Sequence, residues 1–178
     1  MEKQGMQRIK ISIGEQCLTL FDAAGEVLRR YSVSTASNGA GEVSGSFCTP
    51  RGRHVIRAKI GAGLPANTVL VRRRPTGEIY SPDLGDKFAG RDWILTRILW
   101  LSGCESGRNR GHDRGNNKAA NPQGCIDTMR RYIYIHGSPD QATMGVPGSH
   151  GCIRMRNADI IELFDLVAPY TPVEISED

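Results

Sequence analysis

Short runs in which every second residue is apolar recur along most of this chain, and a segment written with period two buries one face only as part of a sheet. Ile9, Ile11 and Ile13 alternate with Lys10 and Ser12, Gly14-Glu15 turns the chain, and Cys17–Phe21 resumes the pattern, which predicts a hairpin. Asp22–Gly25 offers the next turn and Glu26–Ser34 a third strand. Arg53–Ile60 alternates again, and His54 inside it has no chemical neighbour, so it reads as structural. Thr68–Val71 is a β-branched run. The triplet Arg72–Arg74, ahead of a turn at Pro75-Thr76-Gly77, reads as a solvated edge. Trp93–Leu101 is bulky on both faces, which predicts a buried central strand with Trp93 and Trp100 in the core. Only one substantial helix is expected. Asn157 would cap it, Ile160, Leu163, Phe164 and Val167 would share its buried face, and Pro169 would stop it. Thr171–Ile175 then closes the sheet, and the fold class expected is mainly β.

Bulk properties exclude more than they select. At 178 residues the length suits one domain over 1–178, large enough to bury a core without disulfide staples. A net charge of +4 and a pI of 8.9 are too mildly basic to argue for nucleic acid, and they suit an acidic substrate. No apolar run reaches the roughly 18 residues of a membrane span. Five cysteines, without CxxC spacing, fit reduced thiols better than a disulfide framework. The N-terminal MEKQGMQRIK lacks an apolar leader core, so the expected location is cytoplasmic, or periplasmic if a leader has been removed.

Chemistry concentrates between Tyr132 and Asn157, YIYIHGSPDQATMGVPGSHGCIRMRN, which holds two of the four histidines and one cysteine among glycines and prolines. Cys152 follows Ser149, His150 and Gly151, small or polar residues that leave a sulfur unhindered and let backbone N–H groups face an incoming carbonyl. A thiol needs a base to attack an amide, and His136 and His150 are the candidates. Alternation puts Tyr132, Tyr134 and His136 on one face of a strand that His136 ends, and the carbonyl of Gly137 can orient its ring. Arg154 and Arg156, on one side of the chain beyond the cysteine, suit a carboxylate, and Ser149 and Tyr134 are expected to line the same substrate site.

The pair HG, a Gly/Pro-rich interval and then SHGCIRMRN strongly resemble the catalytic signature of the YkuD-type L,D-transpeptidases, supported by VSTAS at 33–37, TPRGRHVI at 49–56 and PVEI at 172–175. The resemblance implies a YkuD-like β-sandwich or sheet domain with its helix after the catalytic cysteine. It implies Cys152 as the acylated nucleophile, His136 as base, Gly137 as the residue whose carbonyl orients it, and His150 with the N–H groups of Gly151 and Cys152 by the oxyanion. Some relatives carry serine at the position of Gly137, and a backbone role would survive that exchange. The implied substrate is the peptidoglycan stem peptide, attacked at the carbonyl of its third residue with loss of D-alanine. Carbapenem-type β-lactams are further candidates for the same sulfur, and no cofactor or metal is expected.

Two fates of the acyl-enzyme follow. Water makes an L,D-carboxypeptidase that trims tetrapeptide to tripeptide in murein recycling, the first reading given the N-terminus; an amine makes a transpeptidase that forms 3-3 cross-links. A different class, a non-catalytic metal module of His136, His150 and Cys152, is the alternative, while Cys104, His112 and Cys125 lack zinc-like spacing. The Arg/Gly-rich stretch 102–131 reads as an irregular insertion beside the site, able to supply Arg108, Arg110 or Arg114 to a carboxylate.

Overall fold

A computed structural model describes residues 6–112 and 124–178. Its strands are β1 (Arg8–Ser12), β2 (Cys17–Phe21), β3 (Val27–Ser32), β4 (Gly52–Ile60), β5 (Thr68–Val71), β6 (Arg74–Ile79), β7 (Leu95–Gly103), β8 (Tyr134–Ser138), β9 (Ile153–Arg156) and β10 (Pro172–Ser176). Two helices join them, α1 (Pro82–Lys87) and α2 (Asn157–Leu166). The sheet runs β3-β2-β1-β10-β4-β7-β5-β6, with β8 and then β9 branching from β7. The C-terminal strand β10 lies parallel to β1 and antiparallel to β4, so it ties the N-terminal hairpin to the half that carries the chemistry.

The alternation read in the sequence decides the layers. Ile9, Ile11, Leu18, Leu20, Ile56, Leu99, Leu101, Ile135, Ile153, Met155, Val173 and Ile175 all turn into one buried cluster. Helix α2 fills the hollow of the curled sheet with Ile160, Leu163 and Phe164, and Val167 follows them into the same cluster. Each such side chain contributes roughly 1.5–3 kcal/mol on burial. The opposite face of β7 and β8 buries a smaller group of Leu70, Ile98 and Tyr134, against which Cys152 packs.

Several boundaries differ from the sequence reading. The third strand spans Val27–Ser32, and the central strand starts at Leu95 and ends at Gly103. Arg72 and Arg73, at φ 49° and 65°, form the turn between β5 and β6, and the exposed Arg72 and Arg74 lie at the solvated edge as read. Pro75 to Gly77, read as that turn, instead lie inside β6, an end strand of the sheet where proline loses no ladder bond. Helix α1 was not foreseen, although Ser81 accepts from Leu84 N–H and Pro82 opens the helix. Tyr132, at φ 57°, stays outside β8, which begins at Tyr134 and continues past His136 to Ser138. A short strand, β9, intervenes between Cys152 and the helix. Asn157 does not cap α2: Arg156 takes that position without a side-chain bond, because the Asn157 amide is committed elsewhere.

His54 behaves as expected of a structural residue. It is buried between the carbonyl of Gly52 and Thr128 Oγ1, each 3.0 Å from a ring nitrogen.

Candidate active site

Strands β8 and β9 run parallel, with Ile135 beside Ile153 and His136 beside Arg154. Paired residues share a face, so His136 and Arg154 point away from the core cluster that holds Ile135 and Ile153. Cys152, two positions before Arg154, points the same way and packs against the Tyr134 cluster. The register of the pair puts Cys152 level with Tyr134, two residues before His136 on the same face.

His136 is 1% exposed, and its Nδ1 lies 2.7 Å from the carbonyl oxygen of Gly137. A carbonyl only accepts, so Nδ1 carries the proton and Nε2 presents its lone pair. The sulfur is held by backbone. Tyr134 N–H donates to it at 3.3 Å, and the thiol donates to the carbonyl of Tyr132 at 3.5 Å. Burial lowers the His136 pKa, opposed by the Gly137 carbonyl bond. Burial likewise pushes the Cys152 thiol up to about 12; the Tyr134 N–H and the charges of Arg154 and Arg131 pull it down, and Asp92 pushes it further up. Both shifts favour the uncharged forms, thiol and neutral imidazole.

Gly137 is fixed by space. A Cβ there would lie 2.6 Å from both Asn157 Oδ1 and the backbone oxygen of Leu95, so the serine carried by some relatives does not fit this chain as folded. The Asn157 side chain beneath it accepts from Thr96 Oγ1 and reaches Asn67 Oδ1, the Ser138 carbonyl and Asp140 Oδ1. This buried amide locks the end of β8 to the start of α2.

The turn before the nucleophile differs from expectation in two places. Gly151 adopts φ +129°, and a Cβ would press Ile133 Cδ1 at 3.2 Å and the Cys48 carbonyl at 3.3 Å. Its N–H, expected at the oxyanion, instead donates to Ser149 Oγ at 3.2 Å. Ser149, expected to bind substrate, is buried. Its hydroxyl donates to the Cys152 carbonyl and its N–H to Thr35 O, so it braces the turn. Thr49 completes the brace by donating to the Gly151 carbonyl at 2.9 Å. Thr49, the first residue of TPRGRHVI, carries no local sign of this role, because its partner lies 102 positions away.

The other candidates fall into three places. His150 is exposed, edge-on to Phe47 at 6.0 Å, and lines a cleft of about 420 Å³ with Asp92, Trp93, Ser138 and Arg154. Arg154 is already engaged, donating to the Gly148 carbonyl and to Asp92 Oδ1 at 2.8 Å each. Arg156 is exposed at the head of α2 and takes part in no ion pair among the described residues. Tyr134 is a buried wall whose hydroxyl accepts from Arg73 Nη1 at 3.0 Å. In the 102–131 stretch, Arg108 faces Glu105 at 3.4 Å, and Arg110 lines a second cleft of about 530 Å³ with Trp100 and Tyr132. Arg114 lies outside the described residues. Among those residues no three His, Cys, Asp or Glu side chains converge as metal ligands. His150 packs on Phe47 instead of joining His136 and Cys152, which removes the metal-module geometry.

A thiol and a tautomer-fixed imidazole on one face of a parallel strand pair are the groups that cysteine–histidine acyl transfer requires. The profile of the YkuD family, described as the L,D-transpeptidase catalytic domain, matches residues 6–175. The chain belongs to that family. The YkuD protein of Bacillus subtilis is 37% identical over 65 residues, 34% of this chain and 40% of that protein. An L,D-transpeptidase from Mycobacterium smegmatis superposes with a TM-score of 0.54 at 17% identity, over 97% of this chain and 59% of the other. The LD transpeptidase LdtMt1, solved in complex with imipenem, gives 0.55 at 20% identity over 96% of this chain and 59% of that one. The matched chains are thus longer than the span shared with this one.

Proposed function

We propose that the chain attacks peptidoglycan tetrapeptide stems at the carbonyl of the third residue, releasing D-alanine and leaving a thioester on Cys152. What supports this is a Cys152 thiol on the same face of the β8–β9 pair as His136, whose Nδ1 is tied to the Gly137 carbonyl. As the carbonyl approaches, Nε2 takes the thiol proton while the C–S bond forms. The protonated imidazole then gives that proton to the departing amine of D-alanine. In the second half-reaction the neutral imidazole takes a proton from the attacking acceptor and returns one to the sulfur.

Hydrolysis is the fate placed first, because water needs no binding site beyond the one the donor occupies; the product is tripeptide and the activity L,D-carboxypeptidase. Transfer to an amine is the second reading. It is favoured by the two clefts, one reached from Arg154 and His150 and one from Tyr132 and Trp100, which give room for two peptides. Mass spectrometry of a muropeptide digest, wild type beside Cys152→Ala, separates the outcomes: tripeptide and free D-alanine, cross-linked dimer, or no change. No change with the wild-type protein would sink the proposal. We extend it to carbapenem-type β-lactams, for which a mass adduct on Cys152, absent from Cys152→Ala, is expected.

A further inference from the structure

The hairpin joining β5 and β6 turns on Arg72 and Arg73, both at positive φ. Such two-residue turns favour Asn-Gly or Asp-Gly, since a side chain with a Cβ is disfavoured in the left-handed region. A sequence that gives up turn preference at a site for another purpose is the pattern of stored local strain. Here the turn delivers Arg73 to the sulfur's face. Its guanidinium stands 4.5 Å from the centre of the Trp100 ring and 5.0 Å from that of Tyr132, and Nη1 donates to Tyr134 Oη at 3.0 Å. Tyr132 and Tyr134 are the two residues whose backbone groups hold the Cys152 sulfur.

The charge of Arg73 is unmatched. Arg154, Arg91, Arg51, Arg29 and Arg30 each have a carboxylate within ion-pair distance, whereas Arg73 has none among the described residues. Its hydrogen bond to a neutral phenol uses one of five N–H donors, leaving the fork that carboxylates accept in pairs. Beyond Trp100 and Tyr132 the larger cleft continues with Arg57, Arg110 and Arg130. Its one acid, Asp127, has both carboxylate oxygens on backbone N–H groups, of Gly111 and Arg130.

We propose that Arg73 is a carboxylate receptor of this site, gripping a carboxylate of the peptide whose carbonyl Cys152 attacks. This rests on the acyl-transfer reading for the presence of a peptide at the sulfur, and it adds a specificity-determining residue on the Tyr132 side of the nucleophile. The test uses Cys152→Ala protein, which binds without turnover, and titrates it calorimetrically with a stem tetrapeptide and with the same peptide amidated at its carboxylates. Adding Arg73→Gln should weaken the free acid about tenfold to a hundredfold and the amidated peptide by less than about twofold. Arg73→Lys should keep part of the discrimination. Equal weakening of both peptides, or of neither, would overturn the proposal, because an arginine that merely props Tyr134 does not distinguish acid from amide. If Arg73→Gln lowers the melting temperature too far to titrate, the Arg73→Lys comparison decides by the same ratio. Wild-type release of D-alanine without discrimination by Arg73 overturns this assignment alone. No release and no binding of either peptide overturns the acyl-transfer reading together with it.

Discussion

A half-buried thiol pushed up to about 12, and an imidazole whose pKa burial lowers, both favour keeping their uncharged forms before substrate arrives. In the proposed reaction His136 then serves as a general base during attack, not as one half of a standing ion pair. This makes the pH behaviour specific. Acylation needs His136 neutral, so its rate should rise with pH through a value below the ordinary histidine pKa of about 6.5 and then stay flat toward pH ~9, with no descending limb. Alkylation of Cys152 by iodoacetamide in the free protein should climb steadily with pH; a plateau down to pH ~5 would show a preformed thiolate and refute the neutral pair. Gly137 gives a second expectation. A Cβ at 2.6 Å from the Leu95 backbone oxygen has no flexible neighbour to displace, so Gly137→Ser should lose about 1–3 kcal/mol in urea unfolding. Equal stability would mean that the end of β8 can shift without penalty.

At the level of elements, the parallel pair β8–β9 decides where the chemistry sits, and Asn157 decides where that pair ends. Its amide bonds groups from β8, from the turn after it and from the loop before β5, so no single one of those segments moves alone. Asn157→Ala should leave the Ser138 carbonyl and Thr96 hydroxyl short of partners and destabilise by about 1–3 kcal/mol. It should also lower the acylation rate, because Gly137, which aims His136, lies against that amide. A variant of normal rate and normal stability would remove Asn157 from the support of the site. Asn157 also shows what the sequence could and could not carry. Period-two alternation located most strands, and the motif around His136, Gly137 and Cys152 marked the candidate site, since both are local patterns. The Asn157 network joins residues up to 90 positions apart, and from local pattern the residue looked like a helix cap. The same holds for Ser149, whose neighbour Cys152 suggested substrate, while its acceptors and donors lie within the turn and on Thr35. The Arg72-Arg73 turn escaped because its residues contradict turn chemistry, while the alternation that put Arg154 and Arg156 on one side is that of β9.

For the molecule as a whole, two buried histidines set the pH range of stability. His54 pins the carbonyl of Gly52 to Thr128, and its pKa falls to about 4 chiefly through burial. His136 is shifted in the same direction for the same leading reason. A histidine with a depressed folded pKa binds fewer protons folded than unfolded between the two values, so stability rises with pH across that window. The contribution is complete above the unfolded value of about 6.5 and is lost progressively as pH falls toward 4. For His54 alone the swing is about 3 kcal/mol, from a shift of about 2.5 units at 1.36 kcal/mol each. Urea titrations at pH 7.5, 6, 5 and 4 should therefore show a falling midpoint. His54→Gln, which keeps a hydrogen-bonding side chain that does not titrate, should flatten the fall without changing the pH dependence of acylation, since His54 lies on β4 and makes its bonds away from the sulfur. The result that would overturn the role of His54 is a His54→Gln protein whose midpoint falls as steeply as the wild type, which would place the acid sensitivity in His136 between pH 6.5 and 5 and in the carboxylates below that. Glu42, Glu78, Glu105 and Glu162 all have lowered pKa values in ion pairs or hydrogen bonds, but carboxylates lose that stabilisation at more acid pH than a histidine does. The interval between pH 6.5 and 5 therefore reports on the histidines.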